Sequence, residues 1–578
     1  MRNQLPWHFD SVISGLREVR GSNLLTAARG SISHSDMSGR TVADLKASET
    51  RAETSETREE NNPPPQRLSR WRRSPRRSPG DPAGGHRARA GAALAAITPA
   101  ALWRNHRLFT FLVVLAIAVR VLATLAFRPA LLIPDSFGYL HVGTHPAIEQ
   151  TRPGGYPILL FLLSPLHSLL AVTTLQHVLG IAAAIIVYGL LRYWGLPAWG
   201  ATLAAVPTLF DARQIALESY ILPDALFGFV ILVAVALLLS KRTPTIWQCA
   251  LAGLLMAWAS VVRGNGAPIM VALVAFMLIR RVGWRAFSAS IAAFAVPLAG
   301  YVAVFYSAYG QLNITNSSGM FLWSRTMSFA NCAVIKPPPD LRPLCPERQG
   351  VPTTPTPAWS VSSLLAEPTP GGYLWSEGAF WRHDAHPGIN AYNNSLAMRF
   401  AEHAIAAQPL SYLRVTGQGV MLLFLSTDRP DNYLSLNFTA TPDVSKLTAK
   451  YLAHLRGYAH TSRGSHAVQP YAYYMFLYQL PVWFPGVAFF VVLVIGLAGV
   501  LRRWRRWGGP AALPWAVAAI GVVVPIALHE YIYRYAITAV PVACLAAGLA
   551  FTQWQVAQRP AITPEPGGSG QSRTEASG

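Results

Sequence analysis

The stretch "LFTFLVVLAIAVRVLATLAFRPALLIPDSFGYL", residues 108–140, decides the class of this protein. Its first part, Leu108–Phe127, is an apolar run of the roughly 20 residues that a helix needs to cross a bilayer core. A carboxylate, Asp135, then stands at the mouth of that helix. A charge at membrane depth is costly and is usually found facing a wet cavity or a partner. The run sets the fold, and the charge raises the question of function.

The rest of the chain repeats the pattern. Of 578 residues, 52% are hydrophobic and 13% charged, with a mean hydropathy of +0.29. An ordinary soluble protein carries about 25% charged residues. Ten apolar segments read as spans: about Leu108–Phe127, Leu175–Leu191, Ala198–Phe210, Ile221–Leu239, Ile246–Val262, Ala267–Ile279, Ala286–Phe305, Val482–Leu501, Ala511–Leu528 and Tyr535–Phe551. Their interiors read as apolar. The expected fold is an all-α polytopic membrane protein.

The net charge of +21 and pI near 10.2 do not point to nucleic acid. The basic residues cluster beside apolar runs, in "SKR" (240–242), "IRRVGWR" (279–285) and "LRRWRRW" (501–507). Cytoplasmic loops have this character. With both termini cytoplasmic, all three clusters fall inside, provided that "YPILLFLLSPLHSLL" (156–170) does not cross. Pro157 and Pro165 bound and break that piece, which suits an interfacial or re-entrant segment.

Five regions result. Residues 1–104 form a polar, basic tail whose composition cannot sustain a core, suited to contact with anionic lipid headgroups and equally to a plain tether or an upstream misassigned start. Residues 105–306 form an N-terminal membrane module. Residues 307–471 form an extracytoplasmic domain with a helix expected in "NNSLAMRFAEHAIAAQPLSYLRV" (393–415), interrupted at Pro409. Residues 472–557 hold the last spans, and 558–578 a polar tail. Cys332 and Cys345, both outside, are candidates for a disulfide in an oxidising compartment. Asn313, Asn316, Asn393 and Asn437 head N-x-S/T triplets, which matter only in a glycosylating host.

The outward joints concentrate charge. They hold Asp135 and Arg152; Asp211, Arg213, Glu218 and Asp224; Arg263; and Glu530 and Arg534. Arginine grips a phosphate by forked, charge-assisted hydrogen bonds. A carboxylate within hydrogen-bond reach takes a proton from a hydroxyl nucleophile as general base. A sugar carried on a lipid phosphate needs both groups. A single base, with no enzyme nucleophile, inverts the anomeric centre. Plainer roles stay open. Asp135 suits the cap of a helix starting at Ser136. Arg152, Arg263 and Arg534 suit snorkelling at the interface. Glu218 and Asp224 suit a structural pairing with Arg213.

Four features together resemble the GT-C superfamily of integral membrane glycosyltransferases, of the protein O-mannosyltransferase and aminoarabinose-transferase type. They are "PDSFGYL" after the first span, "RPGGYP" (152–157), "LPDALFGF" (222–229) and "RYAITAVP" (534–541). The resemblance covers roughly 100–555. It implies a GT-C-like bundle, a polyprenyl-phosphate sugar donor and an extracytoplasmic glycan, lipid or protein acceptor. It makes Asp135 the catalytic base, and Arg152, Tyr156, Glu218, Asp224, Arg263, Arg534 and Tyr535 the substrate-binding set. No cofactor is expected, and a divalent metal in a carboxylate-rich pocket is not excluded. The rival functions are a flippase or transporter of lipid-linked sugars and a non-catalytic membrane scaffold.

Overall fold

Apolar runs without alternation become helices here, because only a helix satisfies its own backbone in lipid. A computed structural model describes residues 99–145, 147–349, 370–384, 386–425, 449–461, 464–530 and 532–552. The polar tails up to residue 98 and from 553, residues 350–369 of the outer segment, and Asn437 lie outside the described residues. Each of the ten apolar runs contains a helix: Pro99–Ala126, Leu169–Tyr193, Ala198–Phe210, Asp224–Leu239, Ile246–Val262, Gly266–Ile279, Trp284–Tyr309, Gly486–Arg502, Ala512–Leu528 and Val540–Ala550. Four stretches are long and apolar enough to cross a membrane: His106–Ala126, Leu169–Tyr193, Trp284–Tyr309 and Gly509–Leu528. The others are shorter apolar helices. Among the described residues, strand is confined to Phe127–Arg128 paired antiparallel with His466–Ala467.

Residues 156–170 form a helix of 9 residues, Gly155–Leu163, and a 3-10 turn, Ser164–Leu166. At 1.5 Å per residue, about 14 Å of helix cannot span a core about 30 Å thick. Its Tyr156 and Leu160 face inward, while Ile158, Leu162 and Leu166 are exposed.

Two cores form. The larger runs through the apolar helices and takes in Leu422, Leu423, Leu455, Tyr458 and Met475. The smaller gathers Met320, Trp323, Leu341, Leu374, Phe400 and Ala404 around the helices Ser318–Thr326 and Ala391–Ala407. It ends short of residue 471. The helices Pro409–Leu425, Ala449–Ala459 and Tyr471–Gln479 send their buried side chains to the larger core instead. Pro409 does split the expected outer helix in two. Within the smaller core's segment, Cys332 and Cys345 are joined by a disulfide 13 residues apart in sequence. A loop of that length is worth about 3 kcal/mol.

One short contact positions the site. The Leu131 N–H donates to the Ser219 carbonyl (2.9 Å) and the Ile221 N–H to the Leu131 carbonyl (3.2 Å). This parallel bridge lays the chain leading to Asp135 beside the chain leading to Asp224.

Candidate active site

Pro134 occupies the first position of the helix Pro134–Thr144, where its missing N–H costs nothing. Asp135 is next. The cap is Ile133, whose N–H donates to Ser136 Oγ at 3.1 Å. Asp135 is therefore not the cap of a helix starting at Ser136. Its oxygens meet two arginines instead: Arg152 Nη2 at 3.2 Å from Oδ1, and Arg534 Nη1 at 3.8 Å from Oδ2.

Three further segments complete the group. Asp224 opens the helix Asp224–Leu239 and is fully buried. Arg263 follows the helix Ile246–Val262, bonds Asp224 Oδ1 through Nη1, and lies 4.3 Å over the Tyr535 ring. Arg534, in the helix Tyr533–Ile537, stands 3.8 Å from Asp224 Oδ1 through Nε and 5.3 Å from the Tyr535 ring. Arg152 also bonds Glu149 Oε1 at 3.2 Å and lies 5.6 Å over Tyr139. Thus Asp135, Arg152, Asp224, Arg263, Arg534 and Tyr535 come together, as does Tyr139, which the sequence did not single out.

A cavity of about 570 Å³ opens on this group, lined by Asp135, Tyr139, Arg152, Arg263, Arg534 and Tyr535. Its other walls include Asn313, Thr315, Phe321, Trp375 and His529. His529 Nε2 approaches Glu530 Oε1 at 3.2 Å, and Glu530 Oε2 accepts from the Gly371 N–H at 3.0 Å. Asp224 is not in the lining. It sits behind, holding Arg263 and Arg534.

The electrostatics leave one guanidinium under-used. Arg534 is 6% exposed, yet its Nε and Nη1 have no hydrogen-bond partner, and neither does Asp224 Oδ2. Burial works to lower the Arg534 pKa, but Asp224, then Tyr535 and Asp135, more than offset it, so the pKa lies above its ordinary value. Burial, and then the charge of Asp135, pushes the Tyr139 phenol up. Both groups keep their protons across the physiological range.

Two expected site residues lie elsewhere. Tyr156 is fully buried behind Tyr139, edge to face at 5.3 Å, and its hydroxyl donates to Gln176 Oε1 at 3.0 Å. The inward turn of its short helix makes it core. Glu218 is also fully buried, in a second cluster. It takes a forked pair of bonds from Arg120 (2.8 and 3.0 Å), and contacts His177 Nδ1 at 2.9 Å and Gln214 Nε2 at 3.0 Å. Gly180 makes room for it, since a Cβ there would stand 1.9 Å from Glu218 Oε1. Arg120 lies inside the first span, so the interiors of the spans are not all apolar. Its one signal in the sequence is a lone cation in an apolar run, which is expensive unless paired. Arg213 pairs with neither Glu218 nor Asp224 and packs over Trp483 and Tyr533, at 4.9 and 4.5 Å.

No family model and no curated protein matches the chain. Solved structures similar to it include the S. cerevisiae protein O-mannosyltransferase Pmt1–Pmt2 complex bound to the sugar donor, at 21% identity over 41% of this chain and 38% of that one, with a TM-score of 0.30. ArnT from Cupriavidus metallidurans bound to undecaprenyl phosphate is similar at 12% identity over 76% of each chain, with a TM-score of 0.30. The oligosaccharyltransferase AglB from Archaeoglobus fulgidus, in complex with an inhibitory peptide and a dolichol-phosphate, is similar at 13% identity over 78% of this chain and 50% of that one, with a TM-score of 0.37. The chain thus spans 38% of the first structure's length and half of the third's. All three are GT-C glycosyltransferases.

Proposed function

We propose that this chain is a GT-C-type membrane glycosyltransferase. It moves a sugar from a polyprenyl-phosphate carrier to an acceptor outside the cytoplasm, with inversion and with both termini cytoplasmic. The observation that carries the reading is the convergence of Asp135, Arg152, Arg263 and Arg534, from three separate joints, on one cavity. The resemblance of "PDSFGYL", "RPGGYP", "LPDALFGF" and "RYAITAVP" to that superfamily agrees with it.

The chemistry follows from the side chains. Asp135 takes the proton of the acceptor as its oxygen attacks the anomeric carbon. The bond from that carbon to the phosphate oxygen breaks, and the electron pair leaves with the polyprenyl phosphate. Arg534 lines the cavity, and its Nε and Nη1, though near Asp224 and Asp135, have no hydrogen-bond partner, so it meets the leaving phosphate. Arg263, fixed by Asp224 and Tyr535, and Arg152, fixed by Asp135 and Glu149, set the field around it. The phosphate leaves as an anion without needing a proton, so one carboxylate suffices.

The test has two arms. Deleting the gene should raise one lipid-linked sugar and remove one envelope glycan substituent, both read by mass. Restoring it as Asp135→Asn should lower transfer by about 10²–10⁴-fold with unfolding unchanged. Undiminished transfer by that variant would overturn the assignment.

One observation favours a transporter of lipid-linked sugars: the Arg120–Glu218–His177 group lies at membrane depth, where carriers keep their ionisable residues. That group is closed and lines no part of the cavity. A carrier would keep its flux in Asp135→Asn, so the same variant separates the two readings.

A further inference from the structure

The helix that presents Asp135 carries a second set of chemistry at its other end. His141 and His145 are one turn apart, and the His145 N–H still donates to the His141 carbonyl at 3.1 Å, so both project from one face. The neighbouring helix Ala449–Ala459 brings His454 to them. Ring centroids are 4.3 Å apart for His141 and His454, and 5.6 Å for His141 and His145. Two imidazoles on one tetrahedral ion, with metal–nitrogen bonds of about 2.0–2.1 Å, stand about 5 Å apart by centroid.

Thr144 Oγ1 lies 2.8 Å from both the His141 carbonyl and His145 Nδ1. With the hydroxyl proton on the carbonyl, Nδ1 carries the ring proton and the Nε2 lone pair is open. An outer hydroxyl of this kind fixes metal-binding histidines. Glu149 holds Arg152 and Thr151 through Oε1, while its buried Oε2 has no hydrogen-bond partner.

We propose that His141, His145 and His454, with Glu149, bind one borderline divalent metal ion of the Zn²⁺ class. The ion clamps the helix Ala449–Ala459 to the helix bearing Asp135. Imidazole nitrogen with one carboxylate suits Zn²⁺, Ni²⁺ or Co²⁺ better than Mg²⁺ or Ca²⁺. Among the described residues the rings of His141 and His454 carry no hydrogen bond, so turning them toward an ion breaks none. None of the four residues lines the cavity, so the ion is structural. Glu149 links it to Arg152, and Arg152 to Asp135.

The experiment needs neither donor nor acceptor, so its outcome is independent of the transfer reading. The full chain, purified in detergent without a histidine tag and stripped with chelator, is titrated with Zn²⁺ by calorimetry and with Co²⁺ by visible absorption. One ion per chain should bind in the micromolar range, with a tetrahedral Co²⁺ band and a raised Tm. His141→Ala and His454→Ala should each weaken binding by at least about tenfold, with the metal-free Tm unchanged. His141→Gln, which keeps more of the side chain, should behave alike. His167→Ala, at the separate His167–His460 stack with centroids 3.8 Å apart, should leave binding intact. Absence of saturable binding below millimolar Zn²⁺, or binding that survives His141→Ala and His454→Ala, or that is lost in His167→Ala, would overturn the proposal.

Discussion

The chain builds two clusters from the same kinds of side chain, and they differ in how fully they are satisfied. Around Glu218, the carboxylate and Arg120 are fully paired, and only the outer nitrogen of His177, Nε2, lacks a hydrogen-bond partner among the ionisable groups. Arg120 spends its guanidinium on both carboxylate oxygens and on the carbonyls of Ala116, Thr208 and Leu209, and Glu218 takes further contacts from His177 and Gln214. Around Asp135 the group is looser. The carboxylate is 43% exposed against 0% for Glu218, and Arg534 keeps two nitrogens unbonded. A buried ion pair that is complete holds a fold together. One that is incomplete and opens on a cavity is ready for a ligand.

The largest effect should come from opening the closed cluster. Glu218→Leu leaves Arg120 buried and unpaired, which costs about 3–5 kcal/mol. The double replacement Arg120→Met with Glu218→Leu should recover most of that loss, since a packed apolar pair often equals a buried salt bridge. Asp135→Asn should shift stability by no more than about 0.5 kcal/mol. Unfolding midpoints in detergent measure all three. If Asp135→Asn cost as much as Glu218→Leu, the distinction between the clusters would fail.

Asp211 lies between the two kinds and sharpens the contrast through pH. It is buried. Its Oδ1 accepts from the Phe484 and Arg213 N–H groups at 3.1 and 3.2 Å, but its Oδ2 has no hydrogen-bond partner. Burial raises its pKa from 3.8 to about 6, against the pull of those N–H groups. Below pH 3.8 the carboxyl is neutral in both folded and unfolded chains. Between 3.8 and about 6 the unfolded chain ionises first, so this residue lowers stability as pH rises. At about 1.4 kcal/mol per pH unit, the gap comes to about 3 kcal/mol above pH 6. Asp211→Asn keeps an acceptor for both N–H groups. It should match the parent below pH 4 and exceed it by about that amount above pH 6. An equal gain at both ends of the range would assign the effect to packing.

The helices were legible because each run is apolar without alternation, and lipid leaves the backbone one local solution. The outward carboxylates and arginines were legible by their cost at the boundary. What the sequence hid was partnership. Asp224 and Arg263 meet across 39 positions, Arg120 and Glu218 across 98. Nothing in "LESYILPD" distinguishes Glu218, which turns to Arg120, from Asp224, which turns to Arg263. Which tyrosine reaches the cavity was hidden for a similar reason. Tyr156, between Gly155 and Pro157, opens a short interfacial helix, Gly155–Leu163, whose rotation turns it inward, while Tyr139 lines the cavity.

The smallest substitution gives the most pointed comparison, because stability and transfer should move in opposite directions. Gly138 lies in the helix Pro134–Thr144 beneath Arg152, where a Cβ would stand 2.6 Å from Nη1 and 2.7 Å from Cζ. The obstructed atoms are the tip of a flexible side chain, so in Gly138→Ala the guanidinium moves and the helix stays. Alanine also gains about 0.5–1 kcal/mol over glycine in a helix interior. Stability should hold or rise. Arg152 loses its seat against Asp135 and Tyr139, and transfer should fall by about 10–100-fold, as happens when a positioning group shifts by about 1 Å. A variant that loses stability along with activity would make Gly138 a packing residue. One that keeps full activity would remove Arg152 from the working set and leave Arg534 and Arg263 to face the phosphate alone.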